Sequence, residues 1–433
     1  MGMNDTPSGE RLHIGLFGRT NAGKSSLLNA LIGQPLAIVS GKKGTTTDPV
    51  RKAMELLPIG PVVFIDTPGL DDESALGEKR TQKAAEILRT VDMALLVIDG
   101  SLPTEKLDLS LERELDQQLR KKQIPVIFIV NKSENLTGGE KEEKARWIAD
   151  ALDISAEELY FTSAHVLASG NRDAAVAALR EEIARRAPKE APRHLAGDLV
   201  RPGDMAVLVI PIDFAAPKGR LILPQQQVIR DLLDAGASVA IARDSELAQT
   251  LDSLKQPPKI VITDSQAFHK VEKIVPAETA LTSFSILMAR YKGRLKTQTR
   301  GARTIEELTD GSRILISEGC THHRQCGDIG TEKLPNWISS YVEKKNGRSL
   351  RLKFSFTSGT DFPEDLSGYD LIVHCGGCTL SAKEMERRID AAEEAGVPIT
   401  NYGVLIAYLN GILERALEPV LAAEKGFAPQ PGV

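Results

Sequence analysis

Aromatic side chains make up only 4% of this 433-residue chain, and no lysine- or arginine-rich stretch interleaves with them. Base-stacking platforms of RNA-binding modules need both features, and a net charge of -5 adds no general attraction to nucleic acid or to an anionic membrane. Cysteine occurs only four times, too few for a disulfide framework in a chain of this size and a number more readily used for metal ligation. No apolar run reaches the roughly 18 residues of a membrane-spanning helix. The opening residues MGMNDTPSGE lack the apolar segment of a secretion signal. These absences set the expectations of a cytoplasmic location, no nucleic acid and no membrane. Low-complexity segments and strict internal repeats are missing as well.

What remains is ordinary globular material, 42% hydrophobic and 26% charged. Its length exceeds what one hydrophobic core organises and predicts two or three domains. Short apolar runs at 12–18, 61–66, 93–99, 124–130 and 159–163 alternate with helical stretches. That is the pattern of an α/β domain whose mostly parallel sheet is covered on both faces. After Arg186, two prolines and mixed charges over 187–198 read as a linker. A second αβ series has strands near 205–212, 238–242 and 259–263, and is too short to carry much of a core alone. A third has strands near 313–318, 369–374 and 397–402, the last two joined by a charged helix over 381–396. The expected division is 10–187, 196–265 and 266–433.

Gly18-Arg19-Thr20-Asn21-Ala22-Gly23-Lys24-Ser25 matches the phosphate-loop pattern, directly after a strand and before a helix. Glycines let backbone N–H groups close around phosphates at a helix N-terminus. Lys24 places a charge near the β- and γ-phosphates, and the Ser25 hydroxyl can ligate Mg²⁺. Gly18, Asn21, Ala22, Gly23, Lys24, Ser25 and Ser26 are therefore the candidate phosphate contacts. A glycine-rich turn that merely connects strand to helix is the bland alternative, and both the spacing and the flanking elements weigh against it. Asp66-Thr67-Pro68-Gly69 follows the next strand, where a carboxylate can hold Mg²⁺ through water and the Gly69 N–H can sense a γ-phosphate. Asn131-Lys132-Ser133-Glu134 ends another strand. A carboxylate at its fourth position can accept hydrogen bonds from guanine N1–H and the exocyclic amine, which adenine cannot offer.

These motifs, in this order and with Ser163-Ala164 placed as a fifth, resemble the translation-factor-like GTPases over residues 10–187. Two positions depart from that pattern: the base-reading motif ends in Glu134 rather than Asp, and Leu70 stands where Ras-like proteins carry a water-orienting glutamine. Intrinsic turnover is accordingly expected to be slow. Asn21, together with Gly44-Thr45-Thr46-Thr47-Asp48, resembles the potassium-activated TrmE-like branch. The resemblance implies GTP/GDP and Mg²⁺ held with Ser25, Thr46 and Asp66, K⁺ held with Asn21, and Lys24, Thr46, Asp66 and Gly69 as the hydrolytic set. Asn21 as a loop-stabilising side chain is the competing reading.

Near the C-terminus, Cys320-Thr321-His322 and His374-Cys375-Gly376-Gly377-Cys378 end predicted strands of one domain. If those strands are parallel, the thiolates of Cys320, Cys375 and Cys378 converge at the carboxyl edge of one sheet, where α/β proteins place ligands. Three thiolates suit an iron–sulfur cluster with one unusual position; with His322 they suit a tetrahedral zinc equally well. Pure packing leaves the flanking histidines His322 and His374 without a role.

The pattern C-x-H, 51 residues, H-C-x-x-C, downstream of a TrmE-like G domain and a small αβ domain, resembles the HydF family of [FeFe]-hydrogenase maturation GTPases over nearly the whole chain. That resemblance implies a [4Fe–4S] cluster on Cys320, Cys375 and Cys378, with His322 and His374 nearby, and a transient diiron subcluster as cargo. It also implies partnership with two radical-SAM maturases and the [FeFe]-hydrogenase apoprotein, and a homodimer formed through 196–265. Cys326 is either a fourth ligand or a bystander thiol; His323 and Asp328 lie in the same loop. The alternative of another class is an RNA-associated TrmE-like GTPase with a structural zinc domain.

Overall fold

In β4 (Met93–Asp99), Met93, Leu95 and Val97 face one hydrophobic layer while Ala94, Leu96 and Ile98 face another. A strand apolar on both faces must lie in the middle of a covered sheet, because successive side chains point to opposite sides. The computed structural model describes residues 8–33, 50–67, 87–88, 90–164, 172–188, 193–212, 221–319, 328–359 and 361–426. It divides at Glu190/Ala191 into two compact units.

The first unit is built on a six-stranded sheet of order β2-β3-β1-β4-β5-β6. Its other strands are β1 (Leu12–Phe17), β2 (Val50–Leu56), β3 (Gly60–Asp66), β5 (Val126–Asn131) and β6 (Leu159–Phe161). All neighbours pair in parallel except β2, which runs antiparallel to β3. α1 (Lys24–Ile32) and α4 (Arg172–Arg186) cover one face through Leu27, Leu28, Leu31, Leu179 and Ile183. α2 (Ser110–Lys121) and α3 (Gly138–Leu152) cover the other through Leu115, Leu119, Ile148 and Leu152.

The second unit holds two four-stranded parallel sheets, of order β10-β9-β7-β8 and β12-β11-β13-β14. The first comprises β7 (Met205–Val209), β8 (Ser238–Ala242), β9 (Ile260–Thr263) and β10 (Ala280–Ser283). The second comprises β11 (Arg313–Glu318), β12 (Lys353–Ser358), β13 (Leu371–His374) and β14 (Ile399–Asn401). Its helices among the described residues are α5 (Leu223–Asp234), α6 (Leu247–Ser253), α7 (Phe268–Ile274), α8 (Phe284–Lys292), α9 (Leu295–Arg303), α10 (Leu334–Asn346), α11 (Ala382–Glu394), α12 (Tyr402–Leu409) and α13 (Leu413–Gly426).

Two boundaries differ from the sequence reading. β10 pairs with β9, so the middle sheet runs past residue 265. One continuous core, from Val207 and Ile262 through Leu287 to Ile316 and Val373, serves both sheets. The second half of the expected linker is also folded. The N–H groups of Leu195, Ala196 and Gly197 converge on one Asp231 carboxylate oxygen at 3.0, 2.7 and 2.5 Å, and Asp198 accepts both its bonds from Arg290 at 2.6 Å. Charged and proline-rich composition disguised a segment in which three successive amides share one carboxylate.

Candidate functional sites

The candidate sites lie at the carboxyl edges of two sheets, the six-stranded sheet of the first unit and the β12-β11-β13-β14 sheet of the second. In the first, the chain leaves β1 through Gly18, turns with Asn21 and Gly23 at φ of 62° and 93°, and enters α1 at Lys24. A side chain at Gly18 would collide with the Val97 carbonyl and one at Gly23 with the Asn131 amide, so glycine is required at both. Lys24 is buried, and its ammonium donates to the Gly18 and Arg19 carbonyls at 2.8 Å each. Arg19 reaches the other way, to Asp108 at 2.7 Å and Glu112 at 3.4 Å at the start of α2.

Ser25 Oγ donates to Asp66 Oδ2 at 2.5 Å. The other carboxylate oxygen, Oδ1, is buried with no hydrogen-bond partner among the described residues. Burial raises the Asp66 pKa against the opposing pull of Ser25 and Lys24. A hydroxyl and an unsatisfied buried carboxylate oxygen are the donor set that Mg²⁺ takes beside nucleotide phosphates, so these residues fit the ion.

Asn131 is fully buried and braces the site. Its Nδ2 donates to the Ala22 carbonyl and its Oδ1 accepts from the Ala164 N–H, both at 2.9 Å, so the phosphate loop and the fifth motif hang on one side chain. Lys132, at φ 60°, pairs with Asp99 at 2.5 Å. With Ser101, Lys132 outweighs the burial that would raise the Asp99 pKa and holds it below its usual value. Ser133 Oγ donates to the Thr162 carbonyl at 2.8 Å and Ser163 is buried, whereas Glu134 and Asn21 are exposed. Thr46, Gly69 and Leu70 lie outside the described residues.

In the second unit β11 and β13 are neighbours in parallel, with Ser317 opposite His374. The condition for convergence at one sheet edge is met for these two strands. Gly319, the last described residue after β11, donates its N–H to Cys375 Sγ at 3.0 Å, and Gly377 N lies 3.4 Å from the same sulfur. Thr379 Oγ1 donates to the Gly319 carbonyl at 2.8 Å. Two backbone N–H groups are thus aimed at one sulfur. Cys378 is more deeply set: burial, and then the neighbouring Cys375, push its thiol up to about 11. Cys375 and Cys378 are not joined in a disulfide. The buried Lys292 donates to the carbonyls of Cys378 and Leu380 at 3.1 and 2.9 Å.

Cys320, His322, His323 and Cys326 lie outside the described residues. His374, expected beside the thiols, has both ring nitrogens engaged by protein groups: Nδ1 lies 2.8 Å from the Cys375 carbonyl and Nε2 lies 2.9 Å from an Arg388 nitrogen. Strand alternation is the reason. Leu371 and Val373 face the shared core, against which Cys375 and Cys378 also pack, whereas Ile372 faces the opposite layer and His374 follows it towards α11. Asp328 is likewise engaged, capping the following helical turn through Thr331 N and Oγ1, both at 2.9 Å. Sequence reasoning missed Lys292, Ser317, Glu384 and Arg388. The available signal was Arg388 itself, a charge between Met385, Ile389 and Ala392 on one helical face.

A family model described as the hydrogen maturase F dimerization domain matches residues 195–293, and the hydrogen maturase F tetramerization domain matches 296–419. A model described as 50S ribosome-binding GTPase matches 13–132. The dimerization match extends beyond residue 265, as β10 does, and the C-terminal segment matches an oligomerisation domain that sequence reading did not foresee. GTPase Era of Fusobacterium nucleatum is 37% identical over 140 residues, 32% of this chain and 46% of that protein. The tRNA modification GTPase MnmE of Hamiltonella defensa is 32% identical over 185 residues, 40% of this chain and 39% of that protein. The chain thus spans less than half the length of these curated relatives. A solved structure of Era in complex with MgGDPNP and a segment of 16S ribosomal RNA shares 20% identity, covering 53% of this chain and 91% of that one, with a TM-score of 0.34.

Proposed function

The chain belongs to the hydrogen maturase F family, and from that premise we propose that it is a GTP-hydrolysing scaffold and carrier for [FeFe]-hydrogenase maturation. In this reading the second unit holds a [4Fe–4S] cluster on Cys320, Cys375 and Cys378. It receives a diiron subcluster built with two radical-SAM maturases and passes it to the apo-hydrogenase. The dimerization and tetramerization domains make the working species a homo-oligomer, with a homodimer formed through the middle sheet. No helix among the described residues is long and apolar enough to cross a membrane, and the reading places the protein in the cytoplasm.

In the first unit, backbone N–H groups at the start of α1 and the Lys24 ammonium neutralise the β- and γ-phosphates of GTP. Ser25 and Asp66, with Thr46, hold Mg²⁺, which supplies charge neutralisation at those phosphates when bound. Glu134 reads the guanine edge, and Asn131 keeps the loop and the base site in register. Asn21 contributes to K⁺ binding, the ion supplying a further positive charge beside the phosphates. Gly69 senses the γ-phosphate. Hydrolysis does conformational work as the segments 44–48 and 69–73 relax, and it supplies no electron chemistry.

The observation that carries the cluster reading is the 3.0 Å hydrogen bond from Gly319 N to Cys375 Sγ. It joins the residue before Cys320 to the first thiol of the C-x-x-C turn, which supports a site shared by the two motifs. The chain's part is to hold the sulfurs at one sheet edge and to screen them from bulk water; the cluster would supply iron to which cargo attaches. The visible spectrum of anaerobically purified protein is the test. Iron–sulfur charge-transfer absorption supports the reading, and colourless protein with stoichiometric zinc would replace it with the RNA-associated GTPase carrying a structural zinc.

A further inference from the structure

Arg388 is completely buried on the face of α11 that otherwise carries Met385, Ile389 and Ala392. An apolar side chain would fill such a position without the desolvation penalty of a guanidinium. Yet all three of its guanidinium nitrogens have partners. Nε donates to Glu384 Oε1 at 2.8 Å and NH2 to the Gly359 carbonyl at 2.9 Å, while NH1 faces His374 Nε2 at 2.9 Å and Ser317 Oγ at 3.4 Å. Its Cζ lies over the Phe362 ring, 5.0 Å from the centroid.

Guanidinium nitrogens only donate and a peptide carbonyl only accepts. His374 Nε2, facing Arg388, must therefore be the acceptor, and Nδ1 must carry the proton it gives to the Cys375 carbonyl at 2.8 Å. That carbonyl belongs to the peptide linking Cys375 to Gly376, so its direction sets the path of the turn that brings Gly377 N to Cys375 Sγ.

We propose that His374 and Arg388 are positioning residues for the Cys375 thiolate: Arg388 fixes which ring nitrogen of His374 bears the proton, and that proton fixes the peptide leading into the C-x-x-C turn. The pair preorganises the sulfur before metal arrives and touches no metal itself. The inference rests on the metal-thiolate reading of this site.

The test uses the full chain, freed of metal under anaerobic conditions and titrated with Co²⁺ alone, followed by thiolate-to-cobalt charge transfer. His374→Asn keeps an N–H near the position of Nδ1 and loses the acceptor, whereas His374→Gln keeps an acceptor near Nε2 and loses that donor. Loss of an outer-shell partner weakens metal binding about 10- to 100-fold, and that loss is expected for His374→Gln and for Arg388→Met. His374→Asn is expected to stay within about threefold of wild type, well below that range. His374→Gln binding like wild type, or His374→Asn as weak as His374→Gln, overturns the proposal. The histidine pair decides the matter even if Arg388→Met fails to fold. A wild-type chain with no thiolate–cobalt absorption would instead overturn the thiolate-site reading, and the positioning role with it.

Discussion

Replacing Asn131 with alanine separates bracing from base reading in the nucleotide site. Its amide is fully buried and makes two 2.9 Å hydrogen bonds, to the Ala22 carbonyl and from the Ala164 N–H. Leaving a buried polar group unpaired costs about 1–3 kcal/mol. The Ala22 carbonyl is the more enclosed of the two stranded partners, so the loss should total about 2–4 kcal/mol. If half of that falls on the phosphate loop, GDP affinity drops about 5- to 30-fold. Base choice should not change, because both polar ends of Asn131 are committed inside the protein. Glu134→Gln should do the reverse. Glu134 is exposed, so stability holds, while losing a charge-assisted bond of about 1.5–3 kcal/mol lowers the GDP-over-ADP preference about 10- to 100-fold. Fluorescent-nucleotide titrations with GDP and ADP, alongside chemical unfolding, measure both. An Asn131→Ala protein with wild-type stability and GDP affinity, or one that gains ADP binding as GDP binding falls, would refute the reasoning.

Lys24→Ala should abolish GTP turnover yet keep the iron–sulfur spectrum, since each site belongs to its own compact unit; iron lost in that variant would contradict modularity. Exchanging Na⁺ for K⁺ at constant ionic strength should raise the GTPase rate, and Asn21→Ala should blunt the rise; equal rates in both salts would leave Asn21 a loop residue. Serine at Cys320, Cys375 or Cys378 should strip or destabilise the cluster and spare GTP hydrolysis, because a hard hydroxyl replaces a soft thiolate. Cys326→Ser should keep the cluster, and electron paramagnetic resonance of a Cys326→Ser protein without iron beside a Cys320→Ser protein with it would overturn the assignment. Bonds from Lys345, Tyr408 and Tyr341 hold Glu306 down to about 2 from an ordinary 4.5. A depressed carboxylate stabilises the fold above its unfolded value and loses that contribution as pH falls through its folded one. The stability gap between wild type and Glu306→Gln should therefore close between about pH 4.5 and pH 2, and a gap constant over that window would exclude the linkage.

Much of this molecule could be read from its sequence wherever burial is two-sided. β1, β3, β4 and β5 are near-continuous apolar runs, and each was visible. β2, β12 and β10 escaped notice, and all three are edge strands. β2 reads VRKAMEL with mostly exposed positions and β12 reads KFSFTS without a fully buried residue; half-covered edges dilute the apolar signal. β10 is four residues running straight into α8. The phosphate loop was legible because its chemistry demands consecutive residues. The bracing of Cys375 was not, since His374, Arg388 and Ser317 meet only through β-strand alternation and helix phase. Nothing in the local sequence around His374 distinguishes a ligand from a histidine with both nitrogens spent.

Lys292 ends α8, within the segment matched by the dimerization domain, and grips two carbonyls of the Cys378 turn, within the segment matched by the tetramerization domain. A hydrogen bond to a buried ammonium is worth about 1.5–3 kcal/mol, so the two together act as a stiff tie-rod. Sliding α8 along its axis must either snap that tie or drag the turn with it. Lys292 therefore makes the position of the Cys378 turn depend on where α8 ends.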